Sequence, residues 1–151
     1  MAHVVSIVYR PKGTTRPTDH YARVPAERVE LVPRKGIVGD MKGAVADREL
    51  NVMHAEQLAQ LGVEGFKVGP GEMGEQVVVS GVDPAALVPG ARLKLGAATV
   101  EVIEPRTGCA RFEMIQGKPR GVAKGRLGVI ARVVESGELA TGDAVELLPA
   151  G

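Results

Sequence analysis

Short apolar runs alternate with segments rich in glycine and proline along all 151 residues of the chain. Val, Ile and Leu dominate these runs, and β-branched side chains pack well on a pleated surface. A recurrence of about ten residues is typical of a barrel or sandwich built from short strands. We predict strands at residues 4–9, 28–32, 76–80, 92–95, 99–103, 128–134 and 144–148, and note a further short apolar run at residues 50–53. The pattern predicts a mainly β fold, a small closed or partly open β-barrel with one or two short helices, as a single domain over residues 1–151.

One segment, residues 54–61, shows helical rather than strand periodicity. Leu58 and Leu61 fall on one face of this helix, and Gly62 is a natural C-terminal stop. Residues 69–74 match the glycine spacing of a dinucleotide-binding loop, which requires a helix after it. Because the run that follows is strand-like, we interpret this segment as a glycine loop that leads into a strand.

Composition narrows the classes of function. Nineteen Lys and Arg against 18 Asp and Glu give a net charge of +1, so no overall field attracts nucleic acid or a membrane surface. Two Tyr and two Phe leave few rings for stacking on bases, and a single Cys excludes an intramolecular disulfide. The N-terminal apolar run is too short for a signal peptide, and no run reaches the roughly 18 residues of a membrane span. We expect a cytoplasmic protein without a membrane partner, and the charge balance argues against nucleic acid.

Cys109 is the residue with the strongest chemical interpretation. Pro105 and Gly108 interrupt the strand before it, so we expect the thiol in a loop at the barrel mouth. Arg106 and Arg111 flank it, and nearby guanidinium groups favour thiolate over thiol. A thiolate attacks sulfur, carries a persulfide or binds a soft metal. The alternative is a small buried apolar residue, since free Cys is often buried.

Histidine offers a different use of the same thiol. The three histidines are far apart in sequence, and His54 at the start of the predicted helix is the candidate partner for a Cys–His nucleophilic pair. Such a pair with Cys109 would indicate a thiol hydrolase. A polar group that ends a helix is the simpler interpretation of His54.

Basic residues cluster in two places. Residues 117–126 contain Lys118, Arg120, Lys124 and Arg126 without an acid, which suits a phosphate or another anion. A solvated loop and nonspecific contact with nucleic acid remain alternatives. A second group surrounds the glycines of residues 36–40, namely Lys35, Lys42 and Arg48.

In this order and spacing, the segments resemble the family of molybdenum cofactor sulfurase C-terminal (MOSC) domains, over roughly residues 3 to 148. The residues that carry the resemblance are Gly36-Ile-Val-Gly-Asp40, residues 48–54, Gly71-Glu-Met-Gly-Glu-Gln-Val77, residues 87–96, Cys109, Gly125-Arg-Leu-Gly128, Arg132-Val133, Ser136-Gly137 and Thr141-Gly-Asp143. Gln76 stands where the family usually has Asn, Met41-Lys42 where it has Arg-His, and Val129 where an aromatic residue is common.

The resemblance implies a β-barrel domain of a kind that occurs alone or attached to sulfurases and amidoxime-type reductases. Cys109 would then ligate molybdenum held on a pterin, the molybdenum cofactor (molybdopterin), or would accept sulfane sulfur as a persulfide. The pyridoxal phosphate associated with the family belongs to the sulfurase partner domain. The candidates for gripping the cofactor phosphate are Arg48, Arg106, Arg111, Lys118, Arg120, Lys124 and Arg126, with Asp40 either orienting basic groups or capping a turn.

The same resemblance implies a cysteine desulfurase-type or electron-transfer protein as partner. The chain would be part of a sulfur transferase, or a molybdenum-dependent oxidoreductase that reduces N-hydroxylated substrates with an external electron donor. The alternative from another class is a non-catalytic β-barrel that binds an anionic partner through residues 118–126. The oligomeric state stays open.

Overall fold

The computed structural model describes residues 1–13, 17, 19–41 and 48–149, and eleven strands and two α-helices lie within them. The strands are β1 His3–Tyr9, β2 Val24–Ala26, β3 Arg28–Val32, β4 Gly36–Ile37, β5 Leu50–His54, β6 Val77–Ser80, β7 Arg92–Leu95, β8 Ala98–Pro105, β9 Val129–Glu135, β10 Gly137–Ala140 and β11 Val145–Leu147. The helices are α1 Ala55–Val63 and α2 Ala110–Gln116, with 3-10 turns at Pro84–Ala86 and Arg120–Ala123.

Eight strands form one sheet in the order β11-β7-β8-β9-β5-β6-β1-β2. Every pair is antiparallel except β5 and β6, which are parallel and joined through α1. The sheet is not closed, although the Val4 amide donates to the Asp143 carbonyl at 2.9 Å and brings β1 beside the segment before β11. A second sheet, β10-β3-β4, adds Leu31, Ile37 and Leu139 to the same core. The predicted mainly β fold is therefore confirmed, in its partly open form.

Strand alternation divides the interior into two cores, because successive side chains point to opposite faces. Leu50 and Val52 on β5 face an aliphatic core inside the main sheet, whereas Met53 faces the helices. On β6, Val77 faces the first core and Val78 the second. The second core contains Met53, Leu58, Leu61, Phe66, Met73, Val78, Phe112, Ala123 and Leu127. Strands β5 and β6 are thus covered on both faces.

Two boundaries of the predicted elements were wrong by two residues, and the others differ by at most one. Helix α1 continues to Val63, so Gly62 lies inside it, where an added Cβ would come within 2.9 Å of a Val68 methyl carbon. Strand β8 continues through Pro105. A strand end tolerates proline, because only one backbone N–H donor is missing there. The ladder then passes to Arg106, whose amide donates to the Gly128 carbonyl at 2.9 Å.

Helix α2 was not predicted. Its signal is short: Phe112 and Ile115 are buried at a spacing of three, and Gly117 ends the helix in the left-handed conformation with φ 68°. Neither helix of the described part of the chain is long and apolar enough to span a bilayer.

Candidate functional site

Cys109 is the residue immediately before α2, and its side chain is exposed. Its carbonyl accepts the Glu113 amide at 3.1 Å, which is the first hydrogen bond of the helix. The thiol makes no capping hydrogen bond to α2. The backbone therefore fixes the position of Cys109, while its sulfur faces solvent.

Arg106 lies beneath this surface and is half-buried. Its guanidinium donates to the Met73 carbonyl at 2.6 Å and contacts the Met53 sulfur at 3.6 Å. Burial lowers the pKa of Arg106, and negative charge on Tyr21, Glu75 or Cys109 would act in the opposite direction. The charges of Arg106 and Cys109, which are close in the chain, therefore interact across this surface.

Tyr21 lies at the centre of a group of guanidiniums. The guanidinium carbon of Arg23 is 5.3 Å from the centre of the Tyr21 ring, and that of Arg111 is 5.1 Å away. Burial raises the pKa of the Tyr21 phenol, Arg106, Arg23 and Arg111 lower it, and a charged Cys109 would raise it further. We call Arg23, Arg106 and Arg111 the arginine cluster.

Arg111 is held by the segment that carries Tyr21. Its Nη2 donates to the carbonyls of Pro17 and His20, both at 3.2 Å. The sequence placed Arg111 beside Cys109 by proximity alone. In the structure, the guanidinium instead connects α2 to the irregular segment before β2.

Arg23 is the functional candidate that the sequence analysis missed. Its Nε and Nη1 atoms are buried and have no hydrogen-bond partner among the described residues. Burial lowers the pKa of Arg23 to about 10, which leaves it charged at neutral pH. A buried donor without an acceptor costs about 1–3 kcal/mol, and an anion in contact would remove that cost. The only sequence feature that could have indicated a role for Arg23 is its position in the long polar connection between β1 and β2, because long loops often carry functional residues.

Glu75 supplies a buried negative charge close to the cluster. Its carboxylate accepts the Gly71 amide at 2.8 Å and the Met73 amide at 3.2 Å, and only 1% of the residue is exposed. Its charge acts on both Arg23 and Arg106. These bonds fold residues 69–74 into a turn before β6, so the prediction of a glycine loop leading into a strand is confirmed.

Asp40 belongs to a buried polar network. Its carboxylate accepts the Arg10 amide at 2.8 Å and the Gln76 side-chain amide at 2.7 Å. The side-chain oxygen of Gln76, Oε1, in turn accepts a hydrogen bond from the backbone N–H of Asn51 at 2.7 Å. The Asp40 carboxylate therefore holds the backbone of Arg10 and the side chain of Gln76, and its charge also acts on Arg23.

The other basic candidates are engaged elsewhere. Their partners are Glu104 at 2.9 Å for Arg48, Glu113 at 3.0 Å for Arg120, Glu64 at 2.8 Å for Arg126, and the Phe66 ring at 5.6 Å for Lys118. Lys124 is exposed, and Lys42 lies outside the described residues. Arg120 is the member of this group whose charge interacts with Cys109. Within the 118–126 segment, Lys118 and Arg126 lie beside residues 64–66, whereas Arg120 lies beside Glu113 on α2.

Near the family-like glycines of residues 36–40, a cleft of about 510 Å³ opens on the surface. Lys12, Arg34 and Lys35 line it together with Val38 and Met41.

Among the described residues, no group of three or more His, Cys, Asp or Glu side chains could hold a metal ion.

His54 is buried at the junction of β5 and α1, and its Nδ1 has no hydrogen-bond partner in the described part of the chain. Burial lowers its pKa, against the charges of Glu56 and Asp83 and a bond with the Val82 backbone. No contact between His54 and Cys109 is present in the ranges that the structure describes. The structure therefore gives no support to a Cys–His pair.

His54 predicts a pH dependence of stability. Because its folded-state pKa lies below the ordinary 6.5, the unfolded chain binds the proton first as the pH falls. The contribution of neutral His54 to the free energy of unfolding is fully present above pH 6.5 and is lost as the pH falls toward the pKa of the folded state. We expect His54→Leu to flatten the dependence of unfolding free energy on pH between 7.5 and 5 by up to about 1.4 kcal/mol per pH unit. Urea titrations at several pH values measure this slope; the same flattening in a variant of the exposed His3, His3→Gln, would contradict the assignment.

The sequence matches the MOSC domain family over residues 33–146, and the chain belongs to that family. No curated protein matches it. The YuaD protein from Bacillus subtilis has a similar structure, with a TM-score of 0.79 and 18% identity, covering 97% of this chain and 96% of its own. For YiiM from Geobacillus stearothermophilus the TM-score is 0.76 and the identity 19%, and the match covers 99% of this chain and 76% of YiiM. For YiiM from Escherichia coli the TM-score is 0.70 and the identity 20%, and the match covers 97% of this chain and 70% of YiiM.

Proposed function

We propose that this MOSC protein uses Cys109 as a molybdenum ligand or as a persulfide acceptor. In this proposal the arginine cluster grips the phosphate of a molybdenum cofactor. The observation that carries it is a half-buried Arg23, whose buried Nε and Nη1 have no acceptor among the described residues, in the same cluster as Arg106, whose charge interacts with the exposed Cys109. Guanidinium groups are the side chains best suited to phosphate, because they donate in a planar fork.

The residues present fit such a group. Arg23, Arg106 and Arg111 would hold its phosphate, and Cys109 would bind the metal. When bound, the cofactor supplies a redox-active metal. The chain itself holds the anion, fixes Cys109 at the start of α2 and keeps the positive charges of Arg106 and Arg120 near it.

The persulfide role uses the same thiolate. The sulfur of Cys109 would attack the terminal sulfur of a persulfide on a cysteine desulfurase-type partner. A new S–S bond forms at Cys109, the S–S bond of the donor breaks, and the donor leaves as a thiolate. Arg106 and Arg120 are cations whose charges interact with Cys109. If the metal role holds, an electron-transfer protein is the partner and reduction of N-hydroxylated substrates is the reaction that we propose.

Purification from a host that makes the cofactor and contains a cysteine desulfurase tests the proposal. Metal analysis, pterin fluorescence and cyanolysis of sulfane sulfur are measured on the wild type and on Cys109→Ser. We expect the wild type to carry molybdenum with pterin or to carry sulfane sulfur, and Cys109→Ser to lose at least about tenfold of whichever is present, because the ligand atom is gone.

Arg111→Gln and Arg126→Gln form a matched pair for the phosphate grip. We expect pterin retention to fall in Arg111→Gln and to stay unchanged in Arg126→Gln, since Arg126 is paired with Glu64. A wild type that carries neither molybdenum nor sulfane sulfur, or equal loading of the wild type and Cys109→Ser, would overturn the proposal.

A further inference from the structure

We infer that Tyr21 is the positioning residue of this site: its ring and hydroxyl hold the three guanidiniums of the arginine cluster together beside Cys109. The inference deepens the proposed function and depends on it. It concerns a residue from the irregular segment before β2 that we assign neither to the metal nor to the phosphate.

The first step of the argument is the contact geometry. Two guanidinium carbons, those of Arg23 and Arg111, lie within 5.3 Å of the same ring centre. Cations within about 6 Å of an aromatic ring are attracted by its quadrupole. The third guanidinium, that of Arg106, faces the Tyr21 hydroxyl, which stabilises its charged form. One side chain therefore touches all three cations.

The second step is the need for such a contact. Like charges repel one another, and the repulsion grows where water is excluded. Two buried carboxylates offset part of this repulsion: Asp40 acts on Arg23, and Glu75, whose two oxygens already accept backbone amides, acts on Arg23 and Arg106. The Tyr21 ring compensates part of the remaining repulsion without adding an anion that would compete with a bound phosphate.

The third step is the space that the chain keeps for this contact. A Cβ on Gly74 would lie 2.5 Å from Arg106 Nη2 and 2.9 Å from Tyr21 Cζ. Both side chains therefore meet directly over Gly74, whose φ of 80° also favours glycine. The absence of a side chain at this position allows the tyrosine and the arginine to pack together.

The fourth step is the attachment of the tyrosine to the thiol's own helix. Arg111 on α2 donates to the carbonyls of Pro17 and His20, which precede Tyr21 in the chain. Burial raises the pKa of the Tyr21 phenol, so it stays a neutral hydroxyl at physiological pH. Movement of Tyr21 would therefore shift all three cations relative to Cys109.

The test compares alkylation of Cys109 by anionic iodoacetate and by neutral iodoacetamide. The ratio of the two rates, normalised to a small free thiol, reports the positive field at the sulfur and cancels changes in thiol exposure and ionisation. We expect Tyr21→Leu to lower this ratio by roughly two- to fivefold. Tyr21→Phe keeps the ring contacts with Arg23 and Arg111 but loses the hydroxyl that faces Arg106, so its ratio should fall by less than about twofold. Circular dichroism and thermal unfolding confirm that both variants are folded.

Arginine variants separate the two ideas. We expect Arg106→Gln and Arg111→Gln to lower the ratio and Arg126→Gln to leave it unchanged. If neither cluster variant changes the ratio, the electrostatic basis of the proposed function is lost. If they do change it while folded Tyr21→Leu matches the wild type, or if Tyr21→Phe falls as far as Tyr21→Leu, the role assigned to the Tyr21 ring is wrong and the proposed function stands.

Discussion

Gly128→Ala is expected to remove about 4 kcal/mol or more of the free energy of unfolding. A Cβ at this position would lie 1.9 Å from the Val52 carbonyl oxygen and 2.9 Å from the Met53 Cα, both of them backbone atoms. The φ of Gly128 is 71°, a left-handed conformation that adds strain for any other residue. The substituted chain must therefore move backbone to fold at all.

The neighbouring strand cannot move cheaply. Val52 and Met53 lie on β5, which is buried on both faces and paired with β6 and β9. Packed interiors resist such shifts because they contain few voids. Gly128 also accepts the Arg106 amide at 2.9 Å, so its displacement would disturb the arginine cluster.

Gly142→Ala is the matched control for this prediction. Gly142 has a φ of 87°, and no heavy atom lies within 4 Å of an added Cβ. It should cost about 1–2 kcal/mol, the backbone strain alone. Urea unfolding of the three proteins measures the difference; equal losses in the two variants would show that the close contact at Gly128 is unimportant.

Gln76→Leu is expected to cost about 3 kcal/mol or more, since it removes the centre of the buried network. Gln76 is fully buried, donates to the Asp40 carboxylate and accepts the Asn51 amide. Leucine has a similar size but leaves a buried acceptor and a buried donor without this partner. Because Asp40 also acts on Arg23, the variant should weaken phosphate binding at the proposed site.

Gln76→Asn and Gln60→Leu complete the series. Asparagine is one methylene shorter, so we expect it to lose one of the two bonds and about half of the stability cost. Gln60 is exposed on α1, and Gln60→Leu should change stability by at most about 0.5 kcal/mol. Chemical denaturation checks all three, and a Gln76→Leu protein as stable as Gln60→Leu would contradict the importance of the network.

Local sequence determined most of the strands. Alternation along residues 28–32 and 92–95 reproduces β3 and β7, because a strand with one buried face must place apolar residues at every second position. The glycine loop before β6 was recognised because the run after it is strand-like, whereas a dinucleotide-binding loop requires a helix there. Helix α2 was missed because its apolar spacing, Phe112 and Ile115, spans less than two turns.

The sequence by itself determined that this protein is β-rich and that its single thiol follows Arg106 closely, since both facts depend on neighbours in the chain. Only the tertiary structure decided which cations belong to the thiol. Tyr21 and Arg23 come from a distant segment and meet Arg106 and Arg111, whereas Arg126 is paired with Glu64 on the helical side. The order of the strands and the paths of the loops decide which of these charges lie close together. The local amino-acid composition predicts neither the strand order nor the loop paths.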